Sequence, residues 1–379
     1  MGNPLAIPAL RGATCGHPRV HEPLLACAKL WRERGGVPVV WEQPPDAAEP
    51  LADLARRYDL LVIGHPQIGE SVLQGCLLPL NRPDRTQDLV RLAGQSVGAS
   101  FTSYRLGGDQ WALPVDAAAQ VQAWRPDRLA GPVATWDDLL VLARHRRVLL
   151  PLRPPHSLLA FYTLAANLGQ PCGATGEAEL NDPAFGAELL DRLRALTALV
   201  DPACFQMDPA AVFERMATAE AAEHCAPYAF GDVRYARPGF RPALLAFADI
   251  PVAGKQGPVG ATLGGAGIAV SAFTARPEAA LAFAYWVAGG DAQRGPYADA
   301  GGQPGNSAAW NDAAVNAAAG GFHAAIRETL EGAVVRPRHD GTMAFQHAAA
   351  ERINAGLLGR ESGAVVMADV NGLFTASFG

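Results

Sequence analysis

Short apolar runs alternate with amphipathic helical segments through the first 66 residues, and few architectures accept that alternation. LLACAKLWRERG (24–35) carries apolar residues at helical spacing and stops at Gly35-Gly36. VPVVWEQ (37–43) is a short β-rich run, and PLADLARRYD (50–59) is helical again. DLLVIGHP (59–66) is a continuous apolar run closed by His-Pro, the pattern of a parallel strand buried on both faces. Strand, helix, strand, helix, strand predicts an α/β half-domain whose ligands sit at the carboxyl ends of strands. Two such ends are legible, GATCGHPR (12–19) and GHPQIGE (64–70). In a doubly wound sheet they open into one crevice, so His17, Arg19, His65 and Gln67 are expected to converge. Each of the four, taken singly, reads more simply as a loop or capping residue.

Further along, DQWALPVDAAAQVQAWRPDRL (109–129) reads as a strand passing into a turn and a helix entry. Its AAAQ block, like NAAAG and HAAAE, reads as helical filler. TWDDLLVLARHRR (135–147) opens on Thr135 as N-cap, with acids in the first turn and bases in the last. RVLLPLRPPHSLLAFYTLAANLGQP (147–171) predicts a strand, a Pro-rich loop and a long apolar helix. Two more capped helices (181–200 and 208–221) and the strand in HCAPYAFGDVRY (224–235) complete a second α/β lobe over roughly 118–235. VGATLGGAGIAVSAFTARPEAALAFAYWVAGGDAQ (259–293) then predicts a Gly-rich strand and a core helix. The last seventy residues are mostly helical, broken at 334–346.

Composition narrows the function. A net charge of −6 on 379 residues, with no basic stripe, argues against nucleic-acid and anionic-membrane binding. Lys29 and Lys255 are the only lysines, which leaves no buried Schiff-base candidate. The six cysteines (15, 27, 76, 172, 204, 225) form no CxxC and no metal-ligand spacing, so they read as reduced, buried small residues. Leu24-Leu25-Ala26-Cys27 matches the letters of a lipobox but follows a charged, proline-containing segment instead of an apolar h-region. The first ten residues have no positive n-region, and no run of 18 apolar residues occurs. A cytoplasmic chain is therefore expected, or a periplasmic one if a leader has been removed. No Gly-rich segment carries a GKS/T phosphate signature, and neither cofactor nor metal is expected. Cys15 with His17 admits a thiolate nucleophile, but residues two apart in a loop rarely hold hydrogen-bond geometry. His17, His21 and His65 admit a metal only weakly, with Glu22 the one nearby acid.

Four segments in order, WALPVDAAAQVQAWRPD, TWDDLL, GGAGIAVSAFTARPEAALAFAYWVAGG and GGQPGN followed by RPRHDG, resemble the family-1 extracellular solute-binding proteins of ABC transporters. The resemblance covers nearly the whole chain and implies an α/β, two-lobe, periplasmic-binding-protein-like fold (type II) with its ligand cleft between the lobes. Lobe one would comprise 1–115 and 255–308, and lobe two 118–250 and 310–379. Hinge crossings would fall near 114–118, 250–259 and 305–310. Matching positions put Asp116, Gly265, Gln303 and the run Arg338, His339, Asp340 toward the ligand, with Tyr228 a further binding candidate.

Two departures bear on function. The chain is identified as a leaderless member. Leaderless relatives also begin with a motif like RGxTWDHPRGYxPL and end the third strand in DHP, where this chain has RGATCGHPRVHEPL and IGHP. The change enlarges the pocket, removes two acids and leaves His17, Arg19, His65, Arg338 and His339 as a positive lining. The expectation is a solute-binding protein that closes on a small anionic or polar metabolite, with an ABC permease as partner if the protein is exported. The alternative is a cofactor-independent lyase, cyclase or isomerase recruited from that fold. There His17 and His65 would act as acid and base, Asp116 would orient, and Arg19 or Arg338 would hold an anionic group.

Overall fold

The computed structural model describes residues 8–14, 16–46, 49–176 and 178–379. The proposed nucleophile Cys15 lies outside the described residues. Strand β1 (Leu10–Ala13) leads into helix α1 (Pro18–Glu33), then β2 (Val39–Glu42), α2 (Leu51–Ala55), β3 (Leu60–Ile63), α3 (Ile68–Leu73) and α4 (Thr86–Gly94). The short strands β4 (Arg105–Leu106) and β5 (Asp109–Gln110) pair as a hairpin ahead of β6 (Leu113–Trp124). Helices α5 (Trp136–Arg144), α6 (His156–Asn167), α7 (Pro183–Thr197) and α8 (Pro209–Met216) follow. The strands β7 (Cys225–Phe230), β8 (Ala246–Ala248) and β9 (Leu263–Val270) come next, then α9 (Pro277–Val287) and a largely helical remainder.

The chain forms two compact units, one from 1–117 with 265–315 and one from 118–264 with 316–379. In the first unit, β1 pairs in parallel with both β2 and β3, and β3 pairs antiparallel with β9. Period-two alternation sends Leu60 and Val62 into one core, with Leu24, Cys27, Trp41 and Phe283. Leu61 and Ile63 enter a second core with Ala55, Ile68 and Tyr104. Both faces of β3 are thus covered, as its unbroken apolar run requires. Cys27 sits inside α1 with its thiol pushed up to about 12 by burial, so the LLAC letters belong to the helix core.

In the second unit β6 pairs antiparallel with β7 and with β8. Helix α6 is buried along most of its length; Ser157 donates to the carbonyl of Ala350, and Thr163 joins Gln120 and Thr262 in a buried network. Thr135, Asp182 and Asp208 each cap their helix by accepting a backbone N–H.

Three local expectations are corrected. The AAAQ block is strand: residues 117–120 lie inside β6, whose positions are buried up to the last. Alanine's helix preference is a few tenths of a kcal/mol per residue, which the full burial of a central strand overrides. Helix α1 begins at Pro18, ahead of the apolar run that opens at Leu24, because Pro18 fits the first helical position and His17 caps it. Of the strand expected near 147–152, the structure keeps one parallel bridge, Val148 to Cys225.

Candidate functional site

The carboxyl ends of β1, β2 and β3 open into one cavity of about 240 Å³ in the first unit. Thr14 follows β1, Gln43 and Asp46 follow β2, and Gln67 follows β3; Glu49 closes the rim. Leu51 and Leu54 of α2, with Leu61 and Val62 of β3, supply an aliphatic floor. This is the place the strand-end rule assigns to a ligand.

Local sequence explains the wall. Gly16 turns the chain out of β1 at φ +72°, a left-handed conformation that favours glycine. The Gln67 Oε1 accepts the N–H of Gly64 at 2.9 Å, which fixes the amide and leaves its NH₂ end as a donor. The Thr14 Oγ1 lies 2.9 Å from His21 Nδ1, so His21 is engaged inside this wall. Arg57 donates to Glu49 at 2.5 Å on the outer side. Hydroxyl, amide and carboxylate groups over an aliphatic floor can match a ligand that both donates and accepts hydrogen bonds. Among the described residues no three His, Cys, Asp or Glu side chains come together as a metal site would need.

The other first-unit residues singled out in the sequence have structural partners. His17 accepts the N–H of Arg19 on Nδ1 at 3.3 Å and so caps α1. Arg19 is 8% exposed and Asp116 1%. They form a two-pronged pair, Nε to Oδ2 at 2.8 Å and Nη2 to Oδ1 at 2.9 Å. His65 is fully buried, its ring edge-on to Tyr104. Gln303, also fully buried, donates from Nε2 to the carbonyl of Ala117, while its own carbonyl accepts the Ala117 N–H. Gly265 holds φ +99°, and a Cβ there would stand 2.3 Å from the Asp116 carbonyl oxygen. Close backbone approach accounts for that glycine.

The second-unit residues fall into separate places. Tyr228 is fully buried and stacked on Trp136, and its hydroxyl has no hydrogen-bond partner among the described residues. Burial pushes that hydroxyl well above its usual range. His339 stacks on Phe378 with ring centroids 3.7 Å apart, and its ring nitrogens meet Ser377 and Thr342. Burial moves His339 below the ordinary histidine range, toward the neutral form. Arg338 is half-buried and Asp340 exposed.

Sequence reasoning missed Thr14, Gln43, Asp46 and Glu49 as lining residues. It named the ends of β1 and β3 but not that of β2, although WEQPPD marks that end with two prolines and an acid. It also passed over His156, which opens α6 edge-on to Phe230 at the carboxyl end of β7, the ring centroids 6.2 Å apart. Burial lowers His156 to about 4, so near neutrality it is an uncharged aromatic with hydrogen-bonding nitrogens.

The sequence pattern of a bacterial extracellular solute-binding protein family matches residues 28–322. No curated protein is matched by sequence. Among solved structures, maltose-bound MalE3 of T. maritima aligns with a TM-score of 0.82 at 16% identity, covering 97% of this chain and 98% of that one. A maltotriose-binding protein of Thermus thermophilus, bound with maltotriose, aligns with 0.76 at 19% identity, covering 98% and 100%. An ABC transporter solute-binding protein from Agrobacterium radiobacter K84, in complex with ribitol, aligns with 0.79 at 18% identity, covering 97% and 98%. At these identities the likeness establishes a shared fold, the two-lobe α/β fold of solute-binding proteins.

Proposed function

Because the chain belongs to this family of bacterial extracellular solute-binding proteins, we propose that it binds a small polyhydroxylated solute, a sugar or polyol, and presents it to an ABC permease. The observation that carries this reading is the strand-end cavity, with its hydroxyl, amide and carboxylate rim over an aliphatic floor. Vicinal hydroxyls both donate and accept, so Gln43 can serve them with either end, Gln67 with its NH₂ end, and Asp46 and Glu49 as acceptors. The C–H face of such a ligand suits Leu51 and Leu54. The anionic expectation rested on a positive lining of His17, Arg19, His65, Arg338 and His339; of these, Arg19 is held by Asp116 and His65 is fully buried. The maltose, maltotriose and ribitol carried by the structural neighbours support the same ligand class.

The enzyme alternative gains no support. Its acid and base, His17 and His65, serve as a helix cap and a core side chain. The family acts outside the cytoplasm, and we place this chain there with it; the cytoplasmic expectation rested on the segment before Cys27, on the lack of an 18-residue apolar run and on residues 1–10, of which 1–7 lie outside the described residues.

Calorimetric titration with maltose, ribitol and tagatose, beside small dicarboxylates, tests the ligand class. At least one neutral polyol is expected to bind. Gln67→Ala should weaken it about tenfold, the loss of one net hydrogen bond of roughly 1–1.5 kcal/mol. Binding confined to the carboxylates would overturn the reading.

A further inference from the structure

We propose that the first unit carries a second site, for a compact oxyanion bearing at least two negative charges. A concavity of about 410 Å³ shares no residue with the strand-end cavity, and three arginines, Arg34, Arg91 and Arg294, line it. They come from distant parts of the chain. Arg34 caps the C-terminus of α1, Arg91 lies in the last turn of α4, and Arg294 follows the short helix Gly290–Ala292.

The hydrogen-bond inventory favours an anion. The Arg34 side chain has no hydrogen bond or ion pair among the described residues. Arg91 gives one N–H to Asp88 at 2.7 Å, and Arg294 gives one to Asp291 at 2.8 Å. Both are i,i+3 pairs whose side chains are 41–82% exposed, so they are weak and leave most of each guanidinium's five donors unused. The Gln95 Oε1 accepts from Asn306, which leaves its NH₂ end as a further donor. Asp291 is the one carboxylate among the lining residues; with Asp88, which holds Arg91 from outside the lining, three guanidiniums meet two carboxylates, a formal excess of +1 (3 − 2) carried by Arg34. In a chain of net charge −6 that local excess is not inherited from the composition. Trp286 gives the concavity an aromatic wall. Planar guanidinium forks arranged this way pair with phosphate or carboxylate oxygens.

The test is calorimetric titration of the full chain with inorganic pyrophosphate at low ionic strength, where such contacts are least screened. Saturable one-to-one binding is expected, with the dissociation constant raised about tenfold in Arg34→Gln and binding lost in Arg34→Gln/Arg91→Gln. Arg34→Lys should keep part of the affinity, Gln67→Ala should leave it unchanged, and added salt should weaken it. These side chains are exposed, so the variants should unfold at the wild-type urea midpoint. Absence of saturable binding in the millimolar range, or equal affinity in the double variant, overturns the proposal. The outcome is independent of whether sugars bind at the strand ends.

Discussion

Replacing Asp116 by Ala tests how the first unit is held together. The Asp116 carboxylate and the Arg19 guanidinium are nearly dry, and two hydrogen bonds of 2.8 and 2.9 Å join them. With the carboxylate gone, the guanidinium must stay charged, because arginine does not release its proton in a protein. Breaking a buried pair by removing one partner costs about 3–5 kcal/mol. Against a total stability of about 5–15 kcal/mol, that is a large fraction. At a urea slope of about 3 kcal/mol per molar, the unfolding midpoint should fall by roughly 1–1.7 M. Equilibrium urea unfolding followed by tryptophan fluorescence and far-ultraviolet circular dichroism measures it. Arg19→Met combined with Asp116→Leu removes both charges and keeps the volume, so it should recover most of the loss. A shift under about 0.3 M in Asp116→Ala, equivalent to about 1 kcal/mol, would refute the reasoning. So would a double variant no better than the single one.

Gly265→Ala should lower stability by about 2–4 kcal/mol, since it combines φ +99° with a Cβ set 2.3 Å from the Asp116 carbonyl oxygen. An unchanged urea midpoint would count against that geometry. Acid should weaken the second unit through His323 and His156, both lowered by burial to about 4 from 6.5. The unfolded chain then takes up a proton that the fold refuses. The stability from keeping each ring neutral is full above about pH 6.5 and is lost as the pH falls toward 4, by up to about 3 kcal/mol per histidine. His323→Leu should flatten that slope in urea midpoints taken across the window, and an unaltered slope would remove His323 from the account.

Local periodicity and capping chemistry were legible because both act over a few residues. The run at 59–66 had to be a strand covered on both faces, and Leu60 to Ile63 do alternate between two cores. Thr135 accepts the Asp138 N–H as its place before an apolar run suggested. The alanines of β6 were misread for the opposite reason: their strand state comes from neighbours far along the chain, which propensity does not register. The partners of the conspicuous charged residues were out of reach in the same way. Adding up His17, Arg19 and His65 suggests a positive lining, but a charge belongs to a site only if nothing nearer claims it. Asp116, 97 positions from Arg19, claims that guanidinium, and folding buries His65. Meanwhile Asp46 and Glu49 reach the rim from the end of β2, where no histidine drew attention, and Arg57 holds Glu49 in turn. A sequence read for conspicuous residues therefore overstates the charge free at the strand ends. It understates plain amides and hydroxyls, because glutamine and threonine carry no spacing signal and acquire meaning only when three strand ends are set side by side.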